Sequence, residues 1–391
     1  MTLAKDFSLS AVIAGFITVL VGFSGAGVIV FKAAQALGAT PSEIGSWIWA
    51  LGWGMGLTSA ILSWRYKMPV VTAWSTPGAA LLIPAAAGIS MPEAIGAFLI
   101  CALLLAICGF TGWFERAMNL IPLPLASAML AGVLLQFGLS VFVAMQTQLV
   151  MTFAMFLLYL IMRHVSPRYA VLAPLVLGVL IAGAQGLLQL DAIQWQLAQP
   201  IFTVPQFSIR ATIGIAIPLF IVTMASQNVP GVATIRAFGY NTPISPLIGW
   251  TGVATVVLAP FGAFAINLAA ITAAISMGRE AHEDPDKRYV AAIAAGVFYI
   301  LIGIFGATVG SLFAALPNEL VVAIAGLALL GTIGQGLVVA LTDESGREAA
   351  LITFLVTASG MTLFGISSAF WGLAAGGLAS GLHQMAIYKL D

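Results

Sequence analysis

Residues 72–82 read TAWSTPGAALL and interrupt the apolar pattern of the chain around them. The chain is 61% hydrophobic and 7% charged, yet residues 75–78 are Ser-Thr-Pro-Gly, where a membrane-spanning helix would carry large apolar side chains. Serine or threonine followed by proline is typical of a helix start, because the hydroxyl caps the first turn and proline there loses no hydrogen bond. The stretch predicts an extended segment and then a half-helix that begins inside the membrane near Pro77.

The composition of the whole chain predicts an all-α polytopic membrane protein. Mean hydropathy is +1.08 over 391 residues, and the charged fraction lies far below the roughly 25% that is usual in soluble proteins. Apolar runs of about 20 residues, each sufficient for one crossing, recur along the chain, whereas a β-barrel would show short alternating segments. The formal net charge of zero gives no reason to expect nucleic acid as a partner.

Polar residues divide the chain into about fourteen predicted spans. Their predicted bounds are 10–31, 43–63, 69–84, 92–112, 120–141, 148–163, 169–188, 209–230, 243–260, 262–278, 289–314, 319–341, 348–365 and 367–388. If the N-terminus is cytoplasmic, only Lys32 and Arg210 of the 14 basic residues fall on the outer side. The positive-inside rule then predicts that both termini lie in the cytoplasm.

Similar fragments recur in the same order and at a nearly constant shift. IPLPLASAMLAGVLL at 121–135, for example, resembles LPNELVVAIAGLALL at 316–330. Although each match is weak alone, together they predict an internal repeat with halves at 1–190 and 209–391. About seven spans in the first half would invert the second half in the membrane, an arrangement that is typical of transporters with a midplane substrate site.

The tenth predicted span, 262–278, contains a second break. Pro260 and Gly262 precede an extended AFAI, and Asn267 stands where a cap would begin a second half-helix. Two such helices would direct their positive ends and free N–H groups at one place, which suits an anion. The alternative is a pair of kinked helices with structural polar residues. The substrate-site residues expected from the two breaks are Ser75, Thr76, Pro77, Gly78, Asn267 and Leu268.

The eighth span adds further polar candidates. Gln227 and Asn228 lie in its inner half, and the matching part of the first span carries Ser24 and Gly25. Because amides are costly in hydrocarbon unless they face a cavity or a partner, we expect these four residues to contribute to the substrate site. The alternative for the two amides is that they join helices, and for the small residues that they allow close packing.

Four longer stretches carry a resemblance to a known family. They are PVVTAWSTPGAALL (69–82), VTMASQNVPG (222–231), SPLIGWTG (245–252) and FLVTASGMTLFGISSAFWGLAAG (354–376). Together they closely resemble the bacterial benzoate transporter (BenE) family, over essentially the whole chain.

The resemblance implies an inner-membrane proton symporter for benzoate. It also implies the inverted-repeat fold of uracil-type and sulfate-type carriers, in which spans three and ten each combine a short strand with a half-helix. In that fold a core domain, here 10–112 with 209–314, moves against a gate domain, here 120–188 with 319–388, often in a homodimer. Alternating exposure of the substrate site is the transport mechanism that this fold implies.

The chain differs from the nucleobase carriers of this fold in the charged residues inside its predicted spans. The resembling nucleobase carriers use acidic residues in spans eight and ten, where this chain has Gln227, Asn228 and Asn267. The absence of acidic residues favours an anionic substrate, which a nearby carboxylate would repel, but it leaves the route of the proton open.

The rival functions are an anion channel, a uniporter and a carrier of a different small organic anion. An intramembrane enzyme is disfavoured, and no cofactor or metal is expected, because no nucleophile with a base and no metal-ligand cluster appears.

Overall fold

A computed structural model describes residues 6–113, 122–166, 169–269, 271–279, 281–361, 363 and 368–388. Most of the described residues are helical. The helices are α1 (Leu9–Ala36), α2 (Pro41–Tyr66), α3 (Thr76–Ala85), α4 (Met91–Phe110), α5 (Leu123–Ala144), α6 (Leu149–Val165), α7 (Leu172–Ala184), α8 (209–237), α9 (Ile244–Leu258), α10 (Ile271–Met277), α11 (Tyr289–Ile304), α12 (Gly306–Ala314), α13 (Asn318–Thr342), α14 (Arg347–Ala358) and α15 (Ser368–Tyr388). The two strands are β1 (Thr72–Trp74) and β2 (Ile266–Leu268).

The helices are consistent with a membrane protein. Among the described residues, six helices are long and apolar enough to cross a bilayer, and α1 would be a seventh as a pair bent by 43°. Each predicted span contains at least one described helix, with boundaries that differ by a few residues. The predicted span 289–314 contains two helices, since Phe305 separates α11 from α12.

Capping residues explain where two of the long helices begin. Thr40 precedes α2, and its hydroxyl accepts a hydrogen bond from the backbone N–H of Glu43, while the Glu43 carboxylate accepts the N–H of Thr40 at 2.8 Å. Ser90 and Glu93 form the same reciprocal box at the start of α4. Each box satisfies N–H groups that the first turn of a helix cannot satisfy internally.

The third and tenth predicted spans are each broken into a strand and a short helix. β1 leads into α3, and β2 lies three residues before α10. The strands pair antiparallel, with Ala73 opposite Asn267, so the two broken spans meet backbone to backbone. Helices surround this pair, and most of its residues are fully buried.

Glycines allow α2 and α11 to pack closely beside the strand pair. A β-carbon placed on Gly52 would lie 2.6 Å from the α-carbon of Gly303, and one on Gly56 would lie 2.6 Å from the carbonyl oxygen of Gly296. Small residues of this kind let helix backbones approach within a membrane, where association depends on van der Waals packing. The close approach fixes α2, which supports β1, against α11.

We expect Gly52→Ala to destabilise the protein, because the added methyl group would overlap the backbone of α11. Overpacking of this kind costs about 1–3 kcal/mol. The thermal unfolding midpoint in detergent would fall relative to Gly377→Ala, which adds a methyl group in α15 where no atom lies within 4 Å. Equal midpoints for the two variants would contradict the packing described for α2 and α11.

Candidate substrate site

The outer edge of β1 is satisfied by hydroxyl groups of α2. The N–H of Thr72 donates to Ser59 Oγ at 2.9 Å, and the Thr72 hydroxyl lies 2.6 Å from that of Thr58. The same hydroxyl donates to the carbonyl oxygen of Met55 at 2.9 Å. An unpaired backbone group here would be costly, because the strand is buried among apolar helices. α2 thus holds β1 in place.

The outer edge of β2 is satisfied by α9 and α8. The N–H of Ile266 donates to Thr255 Oγ1 at 3.2 Å, and the N–H of Leu268 donates to Asn228 Oδ1 at 3.0 Å. The Asn228 amide nitrogen lies 3.4 Å from the sulfur of Met224, and the whole side chain is buried. The described contacts of Asn228 are therefore internal, as the helix-joining alternative expects.

Ser75 caps α3, as its position in the sequence predicts. Its hydroxyl accepts the N–H of Gly78 at 3.0 Å, and its own N–H donates to the carbonyl oxygen of Ala265 at 3.1 Å. The helix begins at Thr76, so Pro77 is its second residue and has no N–H to offer. Of the first-turn amides of α3, the Thr76 N–H has no partner among the hydrogen bonds of the described residues.

The interpretation of Asn267 as a helix cap is wrong. Asn267 lies within β2, and α10 begins only at Ile271 and has seven residues. The strand register pairs Asn267 with Ala73, so its backbone belongs to the strand pair and not to a helix start. Its side chain is fully buried; its amide nitrogen donates to the carbonyl oxygen of Ala265 at 2.8 Å, while its Oδ1 has no partner within the described part of the chain.

Thr223 is a polar residue at this place that the sequence analysis misses. Its side chain is fully buried, and its hydroxyl has no hydrogen-bond partner among the described residues. It lies along α8 between Leu219, whose side chain packs against Gly78 of α3, and Asn228, which holds β2. A lone threonine in an apolar helix gives little signal; only its position one turn before Gln227 could have suggested it.

The remaining predicted residues differ in their environments. Gln227 is half-buried in the π-helical segment Met224–Asn228, and this segment packs against β2. Leu268 is fully buried, and a β-carbon on Gly231 would lie 2.8 Å from its side chain. Ser24 and Gly25 belong to α1, but their side chains lie outside the described residues.

The site carries polar groups without charge. Among the described residues, the charged side chains that are buried are Asp6 and Arg288, which lie just before α1 and α11. The Asp6 carboxylate accepts the hydroxyl of Tyr289 at 2.7 Å, and the Arg288 guanidinium donates to the carbonyl oxygen of Met277 at 2.8 Å, at the end of α10. A neutral, polar, buried pair of strands beside a helix N-terminus can bind a small polar group such as a carboxyl.

The fold resembles those of solved anion transporters. It matches the overall structure of SLC26A9 with a TM-score of 0.62 and 13% identity, over 98% of this chain and 67% of that one. It matches the murine Slc26a9 anion transporter in the inward-facing state with a TM-score of 0.61 and 12% identity, over 98% and 69%. The transmembrane domain of a cyanobacterium bicarbonate transporter, BicA, gives 0.57 and 12%, over 94% and 97%. At these identities the likeness shows the fold alone.

Two sequence relatives are far closer. The inner membrane protein YdcO of Escherichia coli K12 is 48% identical over 366 residues, which are 94% of each chain. The benzoate membrane transport protein of Acinetobacter baylyi is 45% identical over 378 residues, 97% of this chain and 96% of that one. The family model for benzoate membrane transport proteins matches residues 5–382. With its broken, paired spans and near-complete match to this model, the chain belongs to the BenE family of benzoate membrane transport proteins.

Proposed function

We propose that this chain is a secondary transporter that carries an aromatic monocarboxylate, benzoate, across a bacterial inner membrane. The observation that carries the proposal is the 45% identity, over 97% of the chain, to the Acinetobacter baylyi benzoate membrane transport protein. The inner membrane is the location that the name of the Escherichia coli relative gives for that protein. The uncharged polar groups around α3 support a small organic anion or its acid as the cargo.

The proposed architecture has fourteen crossings in two inverted halves, 1–190 and 209–391, with both termini in the cytoplasm. Two equivalent helix starts support the repeat. Ser8 caps α1 by accepting the N–H of Ala11 at 3.1 Å, and Ser208 caps α8 by accepting the N–H of Ala211 at 3.1 Å. The paired strands, one from each half, also support it.

The proposed mechanism is alternating access, with a core domain (10–112 and 209–314) moving against a gate domain (120–188 and 319–388). The packing of the helices supports this division. α2 packs most extensively against α11, and α4 against α9, within the core. α5 packs most extensively against α13, and α14 against α15, within the gate. Such packed units move as rigid bodies more readily than they deform. We also propose that the protein forms a homodimer and that it carries benzoate together with a proton.

The substrate carboxyl would lie at the N-terminus of α3, between the two halves. Thr76 N–H would contact it directly, and Gln227 would add a hydrogen bond. Ser75 and Asn228 would act mainly by holding α3 and β2 in position. The proposed binding set retains all of the residues that the sequence indicates, namely Ser75, Thr76, Pro77, Gly78, Gln227, Asn228, Asn267, Leu268, Ser24 and Gly25.

Uptake of labelled benzoate into proteoliposomes tests the function directly. We expect saturable uptake, and faster uptake into vesicles preloaded with unlabelled benzoate, because a carrier returns more readily with cargo bound. Empty vesicles are the control. Single-channel currents, or uptake that rises linearly with concentration, would favour the channel instead. If a different small organic anion inhibits the uptake more strongly than unlabelled benzoate does, that anion is the better candidate for the substrate.

We expect Ser75→Ala to raise the KM for benzoate about fivefold, because loss of a helix cap costs about 1 kcal/mol and here loosens the binding turn. The matched control is Ser8→Ala, which removes the same kind of cap from α1. Uptake kinetics of both variants, at equal protein in the vesicles, check this. Equal KM values for the two variants would contradict a role for the start of α3 in binding.

A further inference from the structure

Three polar groups around the start of α3 have no partner among the described residues. Two are side-chain atoms: the Oδ1 of Asn267, which can only accept, and the hydroxyl of Thr223, which can donate and accept. The third is the backbone N–H of Thr76, the first residue of α3, which can only donate and has no acceptor among the hydrogen bonds of the described residues. Asn267 and Thr223 are fully buried. Buried polar groups without partners are rare in native proteins, so these two side chains call for a ligand or another explanation.

The orientation of the Asn267 amide follows from its neighbours. Its nitrogen donates to the carbonyl oxygen of Ala265, and the backbone N–H of Ser75 donates to the same oxygen. A flipped amide would place two oxygens against each other, so the unpartnered atom must be the oxygen. Because both donors share one acceptor, the Asn267 amide lies beside Ser75, the residue immediately before α3. Ala73, opposite Asn267 in the strand pair, is half-buried, whereas Asn267 itself is fully buried.

This pairing of one donor with one acceptor does not fit an ionised carboxylate. A carboxylate has two accepting oxygens and no hydrogen to donate, so one oxygen would face Asn267 Oδ1 and be repelled. A protonated carboxyl group has one accepting carbonyl oxygen and one donating hydroxyl. It matches Thr76 N–H and Asn267 Oδ1 without leaving either unpaired, and buried groups favour complete pairing.

We propose that the protein binds its substrate as the neutral carboxylic acid, with Asn267 as the residue that recognises the substrate proton. The carbonyl oxygen of the acid accepts from Thr76 N–H, its hydroxyl donates to Asn267 Oδ1, and Thr223 adds a hydrogen bond. This inference rests on the proposed function. It makes the substrate the carrier of the coupled proton: one anion and one proton associate outside, cross together without net charge, and separate inside.

The titratable side chains near the site lie at the ends of the surrounding elements. β2 packs against β1, α9, α2 and α8, and α3 packs against α1, α5 and α8. The titratable groups on these elements are Glu43, Arg65 and Tyr66 on α2, Lys32 on α1, and Arg210 and Arg236 on α8. From the next layer, the Tyr299 hydroxyl approaches Gly22 of α1. No described carboxylate lies at the strand pair to take the proton instead.

Binding to the purified wild-type protein, in sodium-free buffer between about pH 5.5 and 7.5, tests the proposal above the ordinary pKa of a carboxyl group. We expect the dissociation constant for total benzoate to rise about tenfold per pH unit, as coupling to one proton requires. Benzamide, which presents a carbonyl and an N–H donor without charge, should bind with an affinity that does not change with pH. Methyl benzoate, which lacks the donor, should bind at least about tenfold more weakly than benzamide.

Variants of Asn267 and Thr223 test which side chains bind the carboxyl group. Asn267→Leu should reduce benzamide affinity at least about tenfold and flatten the pH dependence for benzoate, because the acceptor is lost. Thr223→Val should weaken both ligands several-fold, whereas Thr242→Val should not; Thr242 is the matched control, since its hydroxyl is also buried and unpartnered among the described residues but lies in the segment after α8. If Asn267→Leu does not fold, the wild-type comparison of the three ligands still decides.

The results of these binding experiments distinguish neutral-acid binding from the proposed transport of benzoate, on which it rests. Benzoate affinity that is independent of pH, or exclusion of benzamide while benzoate binds, would overturn the neutral-acid proposal and leave a benzoate carrier that binds the anion. Affinity that requires sodium rather than protons would overturn it too, by assigning the Asn267 oxygen to a cation. Failure of every ligand at every pH, both without and with added sodium, would overturn both proposals.

Discussion

The structure depends on satisfying the backbone of two short strands inside an apolar bundle. Extended chain in hydrocarbon exposes N–H and C=O groups that a helix would pair internally. Here β1 and β2 pair with each other, and their outer N–H groups at Thr72, Ile266 and Leu268 meet side-chain oxygens from three different helices. Without these partners, the unpaired backbone groups would make a break in either span too costly. The hydroxyls and the Asn228 amide therefore allow both spans to be broken.

The elements that the sequence predicts well are those set by local chemistry. The Ser-Thr-Pro-Gly stretch specifies the start of α3 through a hydroxyl cap, which the structure confirms at Ser75. Apolar length predicts where the helices lie, because a bilayer requires about 20 apolar residues per crossing. Each of these features depends on residues a few positions apart, and no distant partner is needed to specify them.

The elements that the sequence predicts poorly depend on contacts between the halves. Asn267 looks like a cap when its neighbours in sequence are considered, but its place is set by pairing with Ala73. Asn228 looks like a ligand, but it accepts a hydrogen bond from Leu268. Thr223 becomes a candidate only because α8 contacts both α3 and β2. A repeat alignment based on apolar residues has too little detail to specify the strand register.

The strand pair also has a consequence for biosynthesis. Thr72 is paired with Leu268, a residue from the other half of the chain. At ordinary rates of translation, β1 leaves the ribosome on the order of ten to forty seconds before its partner exists. During that interval its backbone has only α2 and the insertion machinery for hydrogen bonds. The segment around β1 therefore cannot complete its own core, and the final assembly of the nascent protein must wait for β2.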